Sequence, residues 1–590
     1  MIGTSRFQRS ERFLIVALWL LTVTAILLAA GRILGRPWWP VFDDASIWLR
    51  TWDVGGRHTP LVGPHSRFGW HHPGPMLYYA LAPVLRSFDG LPSALQLGAL
   101  SIGLGSALGL VLLTARRVGP SAALVLALAT GVLGLGYGDR LIEPWNPYVV
   151  TLPFALFMVA VWLVACGDAV AAPIAVLAGS FAGQSHLGAM PPVLLLGVVA
   201  LLLDRLFPVS EARTSGARKW QAFAVALLVL LWLPPLVEQL SAPEGNLLRL
   251  FRFSVTPPEP TVGVKQGLLM TGAELLPWGP WLGYESRNLI GHLTPGSAWA
   301  LMVSALPVLI ALWLAVRFRD ALGIRLAAIA ASGFFACVLA TAQIRGIPAE
   351  YLTLWSRAVA MLIVASPLVV LARRYATPLL GERIGAPVAL AGASALALMP
   401  IALRARSAEF ANPELSRAYE IINPLAVNFV PPKGRVRVVG GGIPFAASPH
   451  AIMVGLERAG RRGKSLPLLG PEVGEHRTIA EDAELPTLVL TMGADSEQLP
   501  DPAQARLVGR RDPVSPSRRA EAVELRGRLE QQLRDTHRED LIGALRNGAT
   551  WLGPLVPTDL NRAELERYME LAGGEDKVPW TLFLLPPVHP

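Results

Sequence analysis

The sequence predicts a polytopic α-helical membrane protein of about eleven transmembrane helices, followed by a C-terminal soluble α/β domain. Three observations predict it. Of 590 residues, 52% are hydrophobic and only 16% are charged, against about 25% charged in a soluble globular chain. Up to residue 403 the apolar residues come in runs of roughly twenty, enough to cross hydrocarbon at about 1.5 Å per helical residue. From Arg404 onward charges become common, and short strand-like runs alternate with helical patterns. Mean hydropathy is +0.45.

Composition also excludes several classes. Cys166 and Cys337 both lie inside apolar runs, so neither a disulfide framework nor a thiolate metal cluster is expected. The net charge of +9 suits basic cytoplasmic loops better than nucleic acid, and no nucleic-acid partner is expected. Arg6, Arg9 and Arg12 precede an apolar run, Phe13 to Ala30. That run is longer than the core of a signal peptide and lacks a small-x-small cleavage site, so it reads as a retained first span.

Further spans are expected at about 94–114, 120–137, 147–166, 172–189, 191–207, 221–237, 297–316, 323–342, 357–372 and 386–403. A first polar loop, 35–92, contains a short apolar helix from Pro75 to Phe88, too short to cross and suited to lie at the interface. Residues 1–403 are read as the membrane domain, with a large second loop at 238–296. Residues 404–590 form the soluble domain, with strands at Arg435–Val439 and Thr487–Thr491. Its helices are expected at Pro449–Ala459, Arg518–Asn547 and Asn561–Leu571. Gly440-Gly441-Gly442 lacks the spacing of a dinucleotide fingerprint and reads as a tight turn.

Loop charge orients this arrangement. With the N-terminus cytoplasmic, the inner turns are Arg116-Arg117, Gly167-Asp168, Arg205 to Lys219, Arg317 to Arg319, and Arg373 to Arg383. Four of these five carry clustered cations, as the positive-inside rule demands. The first loop, the 138–147 connection, the 184–188 turn, the 238–296 loop and the soluble domain then fall outside. Acids, aromatics and isolated arginines gather on that outer face, and function is expected there, at the plasma membrane.

Two stretches of the first loop stand out. Phe42-Asp43-Asp44-Ala45 sets adjacent carboxylates just beyond the first span, and His71-His72-Pro73-Gly74-Pro75-Met76-Leu77-Tyr78-Tyr79 opens the short apolar helix. Ionisable groups at a membrane boundary are costly unless paired or wet, and so mark function. In this order and topology the two stretches resemble the GT-C-fold glycosyltransferases that take a sugar from a polyprenyl-phosphate carrier. In that family an acidic pair follows the first span and a His-Pro-Pro-Leu-like segment opens an amphipathic helix; here His-His-Pro-Gly-Pro stands in its place. The resemblance covers residues 10–400. The cytoplasmic N-terminus, span count and outer C-terminal domain look like the actinobacterial arabinofuranosyltransferase and mannosyltransferase branches.

The resemblance implies an inverting transfer of a hexosyl or pentosyl unit to a cell-envelope glycan, glycolipid or protein. It makes Asp43 or Asp44 the general base that takes the acceptor's proton. The other carboxylate orients the acceptor or a metal. The leaving lipid phosphate needs cationic or N–H partners. The candidates are Arg57, Arg67, His71, His72, Arg140 and Arg249, with His58, Arg252 and Arg345 behind them. Glu143, Trp145, Gln184 and His186 are further substrate candidates. Trp70, Trp145, Trp278, Trp281 and Trp355 can stack on sugars or anchor in the interface. No cofactor is required, although Asp44 and His72 form one conceivable divalent-cation site. Two rivals remain: a lipid or sugar transporter, which places ionisable groups at mid-membrane, and a non-catalytic envelope-assembly protein.

Overall fold

The computed structural model describes residues 3–208, 216–256, 259–283, 293–377, 385–410, 412–442, 449–480, 484–497, 504–546, 560–572 and 577–587. Glu285 in the second loop and parts of two expected inner turns, residues 209–215 and 378–383, lie outside them. Two compact units emerge: residues 1–36 with 60–409, and residues 37–59 with 410–590.

The first unit is a helix bundle. Its helices are α1 (Gly3–Leu34), α3 (Met76–Ser87), α4 (Ser93–Arg117), α5 (Pro120–Tyr137), α6 (Asn146–Val149), α7 (Thr151–Ala165), α8 (Ala171–Ser185) and α9 (Met190–Leu206). They continue with α10 (Ala217–Ser241), α11 (Asn246–Val255), α12 (Val264–Glu274), α13 (Ala298–Arg317), α14 (Ala321–Ala342), α15 (Ser356–Leu371) and a last helix, Ala386–Ser407. Helix α2 (Phe42–Trp52) belongs to the second unit. Among the described residues ten helices are long and apolar enough to cross a membrane. The protein is therefore a multi-pass membrane protein. Every expected span has its helix, but α8 has only 15 residues, about 22 Å of rise. Residues flanking it are tied down at both ends: Asp168 pairs with Arg116, and His186 bonds to Leu352. The expected span 172–189 breaks at His186, whose extended backbone separates α8 from the short 3-10 turn Leu187–Ala189.

Bundle surfaces follow the solvent they face. Phe13, Leu194, Leu230, Leu240 and Trp313 are exposed apolar side chains, normal against lipid tails. Helix α7 is buried nearly all round, and α4, α8, α9 and α15 surround it. Small residues permit close approach: a Cβ on Gly131 would strike the backbone of Leu396, and one on Gly134 the side chain of Ile401. Such small-residue contacts are how helices associate where no hydrophobic drive exists.

One end of the bundle gathers the turns expected inside. Arg116 pairs with Asp168. Arg373 donates to both oxygens of Asp320, at 2.9 and 3.1 Å, and to the Val118 carbonyl at 3.4 Å. Arg325 donates to the Ala165 carbonyl at 2.9 Å. Part of the basic clustering therefore serves to satisfy carbonyls and acids at helix ends.

The second unit is an α/β domain around a five-stranded mixed sheet in the order β2-β1-β3-β5-β4. Its strands are β1 (Arg435–Gly442), β2 (Arg462–Lys464), β3 (Thr487–Met492), β4 (Arg506–Arg511) and β5 (Trp580–Leu585). β1 is parallel to β2 and β3, while β5 is antiparallel to β3 and β4. The expected glycine turn is instead strand: Gly440, Gly441 and Gly442 pair with Leu490, Thr491 and Met492. The helix expected over 518–547 ends at Asp535, where Thr536 and His537, the latter at φ 54°, break it. A second core joins Leu525, Leu529, Leu533, Leu565, Tyr568 and Leu571.

Candidate functional site

At the other end of the bundle, loops far apart in sequence converge. The segment after Pro60 folds back as a small hairpin: the Gly63 N–H donates to the His72 carbonyl at 3.0 Å, and His72 N–H to the Pro64 carbonyl at 2.8 Å. Gly69, at φ 80°, supplies the left-handed residue of its tip. The hairpin docks on α8, since Gly74 N–H donates to the Gln184 carbonyl at 3.3 Å. A Cβ on Gly74 would overlap the Gln184 carboxamide, and one on Gly63 would sit 2.7 Å from the Gly74 carbonyl. Asn246, at the start of α11, clamps the other side, accepting from His71 N–H and donating to the His71 carbonyl, both at 2.8 Å.

The two histidines point apart, as extended neighbours must. His71 Nδ1 reaches the Gly63 carbonyl at 3.1 Å, and its ring meets His65 edge-on at 5.0 Å. His72 Nδ1 accepts the Leu187 N–H at 2.9 Å, which leaves its proton on Nε2. Its ring lies 5.4 Å from both Trp70 and His186. Burial pushes the His72 pKa well below the usual imidazole value, and the neighbouring His186, His71 and His65 add to the shift. His186 in turn bonds the Leu352 carbonyl through Nε2 at 3.1 Å.

Leu352 leads to the second half of the site. Glu350, two residues earlier, pairs with Arg357 and lies 4.0 Å from Arg140. The Arg140 guanidinium lies 5.6 Å from the Tyr148 ring centroid, and that of Arg357 5.7 Å from the Tyr137 ring centroid. Tyr137 donates to the Tyr148 carbonyl at 3.0 Å. Trp145 packs on Tyr148 and Tyr351 at 4.9 and 5.0 Å. Glu143 is buried beneath this layer, and Asn146 ties it to α8 by donating to the Ser185 carbonyl at 2.9 Å. Glu274, at the end of α12, keeps part of its surface accessible. Burial pushes its carboxyl up to about 7; Arg357 opposes the shift and Glu350 reinforces it.

Several buried atoms here have no hydrogen-bond partner among the described residues. They are Nε and Nη1 of Arg357, Nε1 of Trp355, Oγ of Ser356, Oγ of Ser185 and Nδ1 of His186. Arg357 is only 1% exposed. A buried guanidinium with unmatched N–H groups is costly without an anion or ordered water to meet them.

The structure thus brings His71, His72, Arg140, Glu143, Trp145, Gln184 and His186 to one end. Arg67 sits at its rim, exposed, with its guanidinium 4.7 Å from the Phe68 ring centroid and 3.9 Å from Glu259. Arg249 is exposed and faces Glu244 at 3.6 Å. Arg57 is exposed in the second unit, on the turns after α2. Asp43 and Asp44 occupy the first turn of α2, Asp43 exposed and Asp44 9% exposed. No group of three or more His, Cys, Asp or Glu among the described residues is placed to hold a metal ion. The Nδ1 of His72 is committed to Leu187.

The sequence alone assigns no role to Arg357, Glu350, Glu274, Asn246, Tyr137 or Tyr148. Arg357 carried a usable signal: it opens an expected span, where an arginine demands a partner.

No family model matches the chain, and no curated protein matches it. Two solved structures resemble it, both of ArnT from Cupriavidus metallidurans. The one bound to undecaprenyl phosphate has 14% identity and TM-score 0.48, and the apo form 13% and 0.46; each comparison covers 83% of this chain and 95% of that one.

Proposed function

We propose that this protein is a GT-C-type glycosyltransferase of the plasma membrane, transferring a sugar from a polyprenyl-phosphate donor to a cell-envelope acceptor on the extracytoplasmic side. The observation that carries the reading is the buried Arg357, paired with Glu350 near Arg140, whose Nε and Nη1 have no hydrogen-bond partner among the described residues. That group lies where the loops assigned to the outer face meet. Such a constellation suits an anionic phosphate whose charge grows as its bond to the sugar breaks.

In the reaction, an acceptor hydroxyl oxygen bonds to the anomeric carbon while the carbon–phosphate-oxygen bond breaks. The electron pair leaves on the phosphate, held by Arg357 and Arg140. The hydroxyl proton passes to a carboxylate on α2. Asp43 fits that role because its side chain is exposed, whereas Asp44 is packed into its own unit and suits orientation. Aromatic faces at Trp145 and Tyr351 suit a sugar ring.

The test is lipid-linked glycan profiling after gene deletion, complemented with wild type, Asp43→Asn, Asp44→Asn or Arg357→Met. The expected result is accumulation of a polyprenyl-phosphate sugar, relieved by wild type alone. Full rescue by both aspartate variants would sink the acid-pair assignment. An unchanged lipid profile on deletion would favour the envelope-assembly alternative.

A further inference from the structure

The helix that carries the acid pair is built into the C-terminal domain. Residues 37–59 group with 410–590, although they lie in the loop after the first span. Ile47, Trp48 and Leu49 of α2 are at most 1% exposed, and α2 packs on the helices Pro449–Arg458 and Gly470–Val473. At its entrance the Trp39 N–H donates to Ser416 Oγ at 2.8 Å. At its far end stands Asp53, the C-cap residue, held by an arginine from the domain. Arg477, 3% exposed, donates Nη1 to Asp53 Oδ2 and Nη2 to Asp53 Oδ1, both at 2.8 Å. The same guanidinium donates Nε to Glu457 Oε1 at 2.8 Å, Nη2 to Glu457 Oε2 at 3.2 Å and Nη1 to the Val473 carbonyl at 2.8 Å. Arg50 adds a bond to Asp53 at 2.7 Å, and His476 Nε2 lies 3.4 Å from it.

We propose that Arg477 is a positioning residue for the acid pair, fixing α2 through the Asp53 carboxylate so that the C-terminal domain presents Asp43 and Asp44. This rests on the reading of those aspartates given above. The choice of chemistry supports it. Apolar residues of similar volume often stabilise a fold as well as a buried ion pair does. What a guanidinium gripping two carboxylates adds is direction, because its planar fork matches them in one geometry only. The grip falls one helix length from the acid pair, about 14 Å along α2, so a tilt at Asp53 displaces both carboxylates.

The experiment uses the full chain in lipid vesicles with a panel of synthetic polyprenyl-phosphate pentoses and hexoses, measuring kcat, donor KM and the thermal midpoint. Arg477→Lys keeps the charge and loses the fork. It is expected to lower kcat by at least about tenfold, as small misplacements do, with donor KM within about twofold of wild type. Asp53→Asn should behave alike. Should the single variants fold poorly, the apolar pair Arg477→Met with Asp53→Leu restores packing; recovered thermal stability with kcat still low supports positioning. Wild-type kcat in Arg477→Lys, or recovery of both quantities in the apolar pair, overturns it. If Asp43→Asn and Asp44→Asn also keep full activity, the acid-pair reading itself fails. If they are inactive while the Arg477 variants turn over normally, only the positioning role falls.

Discussion

Replacing Arg357 by methionine tests whether the buried guanidinium serves the fold or the substrate. Its partner Glu350 is 9% exposed. Removing one member of a buried pair typically costs about 3–5 kcal/mol, because the other charge is left without compensation. Arg140 remains 4.0 Å from Glu350 and takes up part of that charge, so the lower end, about 3 kcal/mol, is expected for Arg357→Met. Adding Glu350→Leu removes the stranded carboxylate and should return most of the loss, since an apolar pair of similar volume is often neutral. Activity should not follow. If Arg357 meets the departing phosphate, both variants lose about 100- to 1,000-fold in kcat, the usual consequence of deleting one donor to developing charge. Thermal unfolding in detergent and initial rates in vesicles separate the two quantities. A double variant that regains both stability and turnover would reduce Arg357 to a structural residue and refute the phosphate assignment.

Three other perturbations follow from the geometry. Glu274→Gln should flatten a pH dependence: a carboxyl raised to about 7 in the fold makes the wild type lose stability as pH rises from 4.5 through 7, where the unfolded chain ionises first. Over that range the denaturant midpoint of the wild type should fall relative to that of the variant, the difference being the contribution of the Glu274 carboxyl. The depressed pKa of His72 has the opposite sign: the unfolded chain gains a proton below 6.5 that the fold refuses, so stability drops as pH falls. His72→Gln keeps an acceptor for the Leu187 N–H and should lose that slope, while His72→Ala strands the N–H at a cost of about 1–3 kcal/mol; equal thermal midpoints for the two variants at pH 8 would contradict the assigned tautomer. Gly74→Ala drives a methyl group into the Gln184 carboxamide. A loss of about 1–3 kcal/mol, the range for overpacking, is expected, with normal membrane insertion by protease mapping.

What was legible in the sequence follows from how strongly each signal is written. The spans were read because lipid imposes a length and a composition on every crossing, and each expected run from Ser93 to Ser407 has its helix. The break at His186 was not read, because one extended residue leaves the apolar pattern of 172–189 intact. Strands β4 and β5 escaped for different reasons. β4 is an arginine-rich, largely exposed edge, and the apolar run of β5 lies close to the chain's end, far from its partner β3. At the site, His71, His72, Arg140, Gln184 and His186 stood out as polar groups between apolar runs. Their partners did not, because Asn246 and Leu352 act through a carboxamide and a backbone carbonyl that only tertiary structure selects.

The division of the chain into units sharpens the reading of the acid pair more than any single contact. Residues 37–59 look like a loop of the membrane domain because they follow the first span, and sequence order alone assigns them there. Their side chains tell otherwise: Trp48 and Leu49 bury themselves, and Asp53 is matched by Arg477, 424 residues away. A loop that served only to join two spans would have no use for such an arginine. The C-terminal domain therefore holds α2 in place. A chain ending at residue 409 should still insert its spans, since these are satisfied by helix–helix contacts within their own unit. It should lose the ordered α2 and, if the proposed function holds, sugar transfer with it. Insertion with full activity in such a truncation, measured by the same vesicle assay, would overturn the domain's proposed part in presenting α2.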